Sequence, residues 1–391
     1  MSDLYQQAQG LFAYTQALRR DFHRNPEMGF REIRTAGIVA RELNQLGLEV
    51  TTGIAETGVV ALLEGAQPGP VVLARFDMDA LPIQEETGAA YASTNAGVMH
   101  ACGHDGHVAV GLTVARMLHD LREQMHGTVK FIFQPAEEGM GGAERMLEAG
   151  VLESPRVDHT LALHLWNDRP VGWVGVTDGP LMAGADVFDL RIEGRGGHGA
   201  LPQETADPIV AAAQVVMALQ SIVARNISPL DTAVVTVGRL RAGDAFNVIP
   251  QYAELAGTFR TYKPEVRQRL IERFEQLVVG ISEGMGCKAA IKIERLTPAV
   301  INDAEIARRV RSAVEAIPEL RVETGYQTMV SEDMAFLMEK APGCYIMVGS
   351  ANAEKGLNFG HHHPRFDFDE AVLPNAAAVM TASILELLGA K

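Results

Sequence analysis

Short, uninterrupted apolar runs divide the first half of the chain. Continuous runs of this kind are typical of strands buried on both faces, and helical patterns separate several of them. The runs that we interpret as strands are Val59–Leu63, Val71–Ala74, Val129–Phe133 and Leu161–Leu163. The pattern therefore predicts an α/β fold built on a mainly parallel sheet.

The pattern changes from about Gly184 onward. Strands and helices are predicted there in the order β-α-β-β-α-β, which is the ferredoxin-like arrangement. After Thr297-Pro298 the chain returns to its first pattern and ends in a helix, Ala371–Leu388. We therefore predict a discontinuous main domain, 1–183 and 295–391, with an inserted domain at 184–294. The predicted elements of the insert are Val187–Ile192, Ala206–Ala224, Ala233–Leu240, Ala253–Arg260, Glu265–Gly280 and Ala289–Glu294.

The composition argues against several classes of partner. The chain has 391 residues, 47% hydrophobic and 21% charged, which is enough for two apolar cores. Its formal net charge is -15 and its Lys and Arg residues form no dense run, so we expect no nucleic-acid partner. The most apolar long segment, Ile209–Leu219, is too short to span a membrane. Three widely spaced cysteines and an N-terminus without an apolar signal core predict a cytoplasmic protein with reduced thiols.

One segment concentrates side chains that bind metals. Residues 99–107, MHACGHDGH, contain a thiol, a carboxylate and three imidazoles. Such groups are costly to bury unless they are paired, and a metal ion is the usual partner. A helical pattern follows directly, so we expect Cys102 and His104 at a helix N-terminus, where the helix dipole lowers the thiol pKa. The alternative is a surface loop in which Asp105 caps the helix.

Further acidic and imidazole groups follow the predicted strands. Asp77 and Asp79 come after the second run, Glu137 and Glu138 after the third, and His164 closes the fourth. Sites in open α/β sheets form beyond the carboxyl ends of the strands, so we expect these groups at one edge. Each also has a structural alternative, such as an acidic pair at a helix N-terminus.

Eight collinear motifs resemble the metal-dependent aminoacylase/carboxypeptidase family. The chain is most similar to the amidohydrolase branch, which includes hippurate hydrolases and indole-acetyl-amino-acid hydrolases, over nearly its whole length. The resemblance implies a dimetal catalytic domain with an inserted lid domain that also dimerises. The motifs are FDMDALP (76–82), MHACGHDGH (99–107), QPAEEG (134–139), LHLWN (163–167), GRGGHGALPQ (194–203), FNVIP (246–250), GTFR (257–260) and HHPRFDFDE (362–370).

The resemblance also implies roles for individual residues. Glu137 becomes the general base, and His198 becomes a catalytic residue of the lid. Asn247 and Arg260 become lid residues that bind the substrate. The implied metal ligands are Cys102, His104, Glu138, His164 and His362, and His361 stays open as the alternative to His362.

The chain departs from peptidase relatives at two places. Those relatives have a His-x-Asp pair where this chain has Asp77-Met78-Asp79, and a bridging carboxylate near the place of Cys102. We therefore expect Asp77, Asp79 and Asp105 to support the ligands, and the group that bridges the metals stays open. The resemblance implies two divalent metal ions, and a thiolate among imidazoles and carboxylates favours transition metals such as zinc, manganese, cobalt or nickel.

The sequence as a whole predicts an amidohydrolase that cleaves N-acyl amino acids, such as N-acetyl or N-benzoyl derivatives. A bound metal lowers the pKa of its water to about 7, so a metal-bound hydroxide is the expected nucleophile and Glu137 accepts the proton. A dipeptidase or carboxypeptidase with the same site is the alternative. A non-catalytic metal-binding scaffold is disfavoured because it needs no base. We expect a small-molecule substrate and a homodimer or homotetramer.

Overall fold

The chain folds into two compact units, and this computed structural model describes residues 2–389. The larger unit comprises Met1–Leu181, Ile301–Gln327 and Asp333–Lys391. The inserted unit comprises Met182–Val300 and Thr328–Glu332, so two separate segments build it. Each unit has its own apolar core, as expected for chain segments that fold as domains.

Strands outnumber helices in the described residues. The strands are β1 (Glu49–Ile54), β2 (Gly58–Glu64), β3 (Gln67–Asp77), β4 (His126–Gln134), β5 (His159–Pro170), β6 (Trp173–Gly175), β7 (Gly179–Met182), β8 (Gly184–Glu193), β9 (Gly197–His198), β10 (Ala233–Ala242), β11 (Val248–Ile249), β12 (Tyr252–Thr261), β13 (Lys288–Thr297), β14 (Val300–Asn302), β15 (Arg321–Glu323) and β16 (Gly343–Ala351). The helices are α1 (Ser2–Gly10), α2 (Phe12–Arg24), α3 (Ile33–Gln45), α4 (His104–Asp120), α5 (Gly142–Glu148), α6 (Pro208–Ser221), α7 (Pro264–Gly284), α8 (Ala304–Glu315), α9 (Ala335–Met338) and α10 (Val372–Leu388).

An eight-stranded sheet forms the centre of the larger unit, in the order β1-β2-β4-β3-β5-β16-β6-β15. Its central strands β4, β3, β5 and β16 run parallel, whereas β1 and β2 pair antiparallel. The predicted runs fall in β2, β3, β4 and β5, which are largely buried. The buried helices α4 and α10 pack against this sheet. The structure thus confirms the predicted α/β fold with a mainly parallel sheet.

The strand that carries His164 is longer than its apolar run indicates. β5 continues to Pro170, so His164 lies inside the strand and not at its end. Trp166 and Asn167 remain buried, and the Asn167 amide donates hydrogen bonds to the carbonyl oxygens of Phe359 and Asp367 at 2.8 and 3.0 Å. A polar side chain with such partners can stay buried, which a search for apolar runs does not detect.

The inserted unit contains a four-stranded antiparallel sheet in the order β10-β12-β8-β13. Alternate residues of β8 are buried, which shows that helices cover one face of this sheet. The rings of Phe188, Phe259 and Phe274 pack there with centroids 4.7–5.0 Å apart. Strand order and helix placement confirm the ferredoxin-like fold.

One helix of residues 2–389 has the length and apolar character of a membrane span. It comprises α6 and the π-helical turn that follows, Pro208–Asn226, with a mean hydropathy of 1.5. It is longer than the apolar segment recognised in the sequence. Only 33% of this stretch is buried, and the Met217 side chain on it is 73% exposed. The helix therefore covers the inserted sheet on one side and leaves an apolar face uncovered.

Candidate metal centre

Three neighbouring parallel strands bring polar side chains to one edge of the central sheet. β3 ends at Asp77, β4 is followed by Glu137 and Glu138, and β5 carries His164. Because parallel strands share the direction of their carboxyl ends, these groups lie at the same edge.

The loop before α4 supplies two more of the predicted ligands. α4 begins at His104, and Gly103 precedes it with a φ of 93°, a conformation that glycine adopts without a steric cost. Sγ of Cys102 and ring nitrogens of His104 and His164 lie within 4.8 Å of one another. The turn at Gly103 thus places both neighbouring side chains beside β5.

Donor atoms of the predicted ligands form overlapping groups. Cys102 Sγ lies 3.5 Å from His164 Nε2, and His362 Nε2 lies 3.1 Å from Glu138 Oε1. Within each group, one donor atom per residue lies within 4.8 Å of the others. Because the groups share members, they form one centre whose donor set fits a pair of cations. The groups are Cys102, His104 and His164; Cys102, Glu138 and His362; and His104, Glu137 and Glu138.

Hydrogen bonds orient two of the imidazoles for metal binding. A carbonyl oxygen only accepts, so Nδ1 of His104 donates to the Asp79 carbonyl at 2.9 Å, and Nδ1 of His164 donates to the Leu165 carbonyl at 2.8 Å. Nε2 of His104 is buried and has no hydrogen-bond partner among residues 2–389. A fixed Nδ1–H leaves the Nε2 lone pair available, which is the usual arrangement of a metal-binding histidine.

The electrostatics of the centre favour positive charge. Burial lowers the pKa of His104, but Asp77 and Asp79 outweigh it and raise that pKa to about 10. Burial, Glu138 and Glu137 raise the pKa of the Cys102 thiol well above its usual range. The expectation that the helix dipole lowers this pKa is therefore wrong, because nearby carboxylates and burial dominate. A bound divalent cation would lower the pKa of the Cys102 thiol, since it stabilises a thiolate directly.

The two candidate histidines after β16 occupy different surroundings. His361 is stacked on Trp166 with ring centroids 4.7 Å apart, and its Nε2 donates to the Leu165 carbonyl at 3.0 Å. Burial lowers the pKa of His361 to about 4. His362 reaches Glu138, and its backbone N–H donates to the Ala101 carbonyl at 2.8 Å. The structure thus brings His362 into a donor group beside the Cys102 loop.

Sequence reasoning gave no role to His107, which joins α4 to two strands. Its Nδ1 donates to Asp77 Oδ1 at 2.6 Å, and its Nε2 accepts the Leu165 N–H at 3.0 Å. Arg75 donates to the other Asp77 oxygen at 2.5 Å. Asp77, His104 and His107 also have donor atoms within 4.8 Å, yet both Asp77 oxygens and both His107 nitrogens are engaged. The sequence contained one signal for His107: it follows His104 by three residues in a helix, so the two side chains are neighbours on one face.

Asp79 and Asp105 contact different parts of the larger unit. Asp79 Oδ2 accepts the Glu138 N–H at 3.0 Å, so Asp79 contacts both His104 and the segment after β4. The Asp105 carboxylate faces Arg19 and His23 at 2.8 Å each. Asp105 therefore holds the first turn of α4. Neither of these two side-chain bonds involves a predicted metal ligand.

The inserted unit carries the remaining predicted site residues. β9 and β11 pair there, so His198 lies beside Asn247, whose carbonyl accepts the Gly199 N–H at 2.8 Å. His198 is exposed, and its Nδ1 accepts a backbone N–H at 3.0 Å, which places its own proton on Nε2. Arg260, on β12, is half-buried and its guanidinium donates to the Thr258 hydroxyl.

The chain is similar to known proteins over nearly all of its length. The family model described as peptidase family M20/M25/M40 matches residues 73–386. An N-acetylcysteine deacetylase of Bacillus subtilis is 42% identical over 95% of this chain and 97% of its own length. The IAA-amino acid hydrolase ILR1-like 4 of Arabidopsis thaliana is 37% identical over 96% of this chain and 87% of its own. A Bacillus subtilis dinuclear metal-binding peptidase of family M20 has a crystal structure that matches with a TM-score of 0.86 at 36% identity, over 98% of this chain and 100% of that one.

We expect His362→Asn to lower the amount of bound metal, whereas His361→Asn leaves it unchanged. The reason is that His362 Nε2 faces Glu138, while His361 Nε2 is committed to a backbone carbonyl. Metal per chain, measured by mass spectrometry on both purified variants, checks this. Metal loss in His361→Asn with retention in His362→Asn would assign the ligand to His361 instead.

Proposed function

Because the chain belongs to peptidase family M20/M25/M40, we propose that it is a dinuclear metal hydrolase that cleaves the amide bond of N-acyl amino acids. The products are a carboxylate and a free amino acid. The observation that carries the proposal is the pair Glu137 and Glu138, which both have a carboxylate oxygen within 4.8 Å of a His104 ring nitrogen. Amide hydrolysis needs one group that holds a cation and another that moves a proton, and this pair supplies both.

The contacts of Glu137 and Glu138 support a different role for each carboxylate. Two divalent cations, when bound, activate water and polarise the substrate carbonyl. Glu138 faces His362, and its N–H is fixed on Asp79, which supports a ligand role. Glu137 takes a proton from the attacking water and returns it to the leaving nitrogen. The residues that would hold the cations are Cys102, His104, Glu138, His164 and His362.

The names of two relatives favour acylated amino acids over dipeptides as substrates. One relative is named as a deacetylase of N-acetylcysteine, and another as a hydrolase of IAA-amino acid. Both names describe removal of an acyl group from an amino acid. We therefore favour the amidohydrolase activity over a dipeptidase or carboxypeptidase activity for this chain.

We assign the recognition of the amino-acid part to the inserted unit. Arg260 offers a planar guanidinium, which binds a carboxylate through two parallel hydrogen bonds. Burial lowers the pKa of Arg260 from its usual value, yet a guanidinium stays charged at neutral pH. Asn247 provides a further polar contact, and His198 provides an Nε2–H that can stabilise the developing oxyanion.

We further propose that the protein forms a homodimer through the inserted unit. The exposed apolar side chains of α6 and its extension form a patch that a monomer leaves in water. The patch comprises Ile209, Val210, Met217 and Val223. A second copy of the same face would bury it, because two-fold dimers use identical surfaces.

A cytoplasmic location fits the state of the thiols. Cys102, Cys287 and Cys344 are all free and buried. Free thiols persist in a reducing compartment, and a thiolate ligand such as that proposed for Cys102 is sensitive to oxidation. We therefore propose the cytoplasm as the working compartment.

Glu137→Gln should abolish most turnover while the protein keeps its metal. Loss of a general base typically lowers kcat by roughly 10²–10⁴-fold. Release of free amino acid from N-acetyl and N-benzoyl amino acids, with Mn²⁺ or Zn²⁺ added, measures this. Glu148→Gln, an exposed glutamate on α5, is the matched control and should match the wild type. A Glu137→Gln enzyme with normal kcat would exclude Glu137 as the base.

A free α-carboxylate on the substrate should be required for efficient cleavage. Loss of one partner of a buried charge pair costs about 2–5 kcal/mol, so amidated substrates should have a much lower kcat/KM. Arg260→Lys should lower kcat/KM for acids but hardly for amides, whereas Arg241→Lys on β10 should change neither. Equal cleavage of acids and amides by the wild type would disprove the carboxylate contact.

A mixture of His198→Ala and Glu137→Gln proteins should recover activity if His198 of the partner subunit completes each site. Random exchange in a symmetric dimer gives about one quarter of the wild-type activity, since half of the dimers carry one intact site. Activity is followed after subunit exchange has been confirmed by native mass spectrometry. Adding Met217→Glu to both proteins should weaken the dimer and remove the recovery. Confirmed exchange without recovery contradicts the contribution in trans.

A further inference from the structure

A buried carboxylate outside the donor groups contacts the segment that carries the proposed base. Glu32, directly before α3, is 0% exposed. Its Oε1 accepts the Ala136 N–H at 2.9 Å, and its Oε2 accepts the Thr57 hydroxyl at 2.5 Å. Both donors are neutral, and burial raises the pKa of Glu32 to about 6. Burying an acidic group among neutral donors costs stability, so stability alone does not explain this placement.

Ala136 has a backbone conformation that needs support. Its φ of 55° lies in the left-handed region, which is unfavourable for a residue with a Cβ. Its carbonyl accepts the Gly142 N–H at 3.1 Å. A Cβ at Gly29 would lie 3.0 Å from the Ala136 Cβ, so this close approach is possible only because residue 29 is a glycine. The peptide of Ala136 is therefore held on several sides, and Glu32 holds its N–H.

The left-handed turn has a direct consequence for the two residues that follow. Adjacent side chains of an extended segment point to opposite faces. Glu137 and Glu138 nevertheless both place a carboxylate oxygen within 4.8 Å of a His104 ring nitrogen. The chain must therefore turn where these residues begin. Directly after the turn, the Asp79 carboxylate accepts the Glu138 N–H at 3.0 Å.

We propose that Glu32 is a positioning residue, which holds the turn at Ala136 and so directs the Glu137 carboxylate towards the metal centre. The inference rests on the proposed role of Glu137 as the base. Glu32 contacts no donor group through its hydrogen bonds, and Asp79 holds the Glu138 N–H separately. Glu32 therefore acts on the proton-transfer step and leaves metal binding unchanged. Its loss should appear in kcat and not in KM.

Glu32→Met tests this role, because methionine keeps the side-chain volume and removes both acceptors. A misplacement of about 1 Å can cost 10²-fold, so we expect kcat to fall about 10- to 100-fold. KM and metal content should stay at the wild-type values. Glu32→Gln keeps an acceptor oxygen for the Ala136 N–H and should recover most of the activity. If the methionine variant does not fold, Glu32→Ala is measured with the same expectation.

Glu27→Ala is the matched control from the same segment. The Glu27 carboxylate accepts the N–H groups of Arg34 and Thr35 at 3.0 and 2.8 Å, at the first turn of α3. Its loss should lower the melting temperature, as the loss of a helix cap does, and leave kcat unchanged. Equal losses of kcat in Glu27→Ala and Glu32→Met would reduce Glu32 to a general structural role and overturn the proposal.

A double-mutant cycle separates this inference from the proposed function. If Glu32 acts through Glu137, Glu32→Met should cause no further loss of kcat in the Glu137→Gln background. If Glu137→Gln loses turnover but Glu32→Met keeps its kcat, or lowers it by the same factor in both backgrounds, the positioning role alone is wrong. If Glu137→Gln keeps its kcat, the assigned base is wrong and the positioning role falls with it.

Discussion

Pairing of buried charge is the constraint on which the larger unit depends. Arg19 has no exposed surface, and its guanidinium contacts Asp105 at 2.8 Å, Asp367 at 2.6 Å and Glu370 at 3.2 Å. Removing one partner of such a buried set leaves an uncompensated charge, which typically costs about 3–5 kcal/mol. The set therefore fixes α2 to the first turn of α4 and to the segment before α10. The histidine proposed as a ligand on α4 thus begins a helix that cannot shift without breaking these pairs.

The pairing of buried charge also distinguishes the roles of the buried histidines. His107 and His23 use both ring nitrogens, the latter on Asp105 and Glu85 at 2.8 and 3.3 Å. Burial and Arg19 oppose a proton on His23, but Asp105 and Glu85 raise its pKa to about 8, so it acts as a cation between two carboxylates. In His104, by contrast, Nδ1 donates to a carbonyl, and Nε2 has no hydrogen-bond partner in the described chain. Only an arrangement of this second kind provides a lone pair for a metal.

Periodicity and motif order were sufficient for the fold, because they depend on local sequence. The apolar runs Val71–Ala74 and Val129–Phe133 lie within β3 and β4, and the β-α-β-β-α-β order of the insert gives its observed sheet. Residues 328–332 join the inserted unit from a distant part of the chain, and no local pattern marks them. The partners of the candidate site are also distant: Glu32 and Ala136 lie 104 positions apart, so only the folded chain shows their contact. The thiol pKa of Cys102 was mispredicted for the same reason, since burial raises it and the carboxylates that raise it further, Glu138 and Glu137, come from a distant segment after β4.

The division of the chain into two units separates the proposed hydrolytic groups from the proposed contacts to the amino acid. The proposed metal ligands and base belong to the larger unit, where neighbouring parallel strands bring several of them to one edge of the sheet. The proposed contacts to the amino acid, Asn247 and Arg260, belong to the inserted unit, which has its own apolar core and sheet. Substitutions in the inserted unit therefore need not disturb the pairing of buried charge in the larger unit. Relatives that are 42% and 37% identical to this chain are named for different substrates, N-acetylcysteine in one case and an IAA-amino acid in the other. Variation of substrate contacts around one hydrolytic centre would account for such a difference within a shared fold.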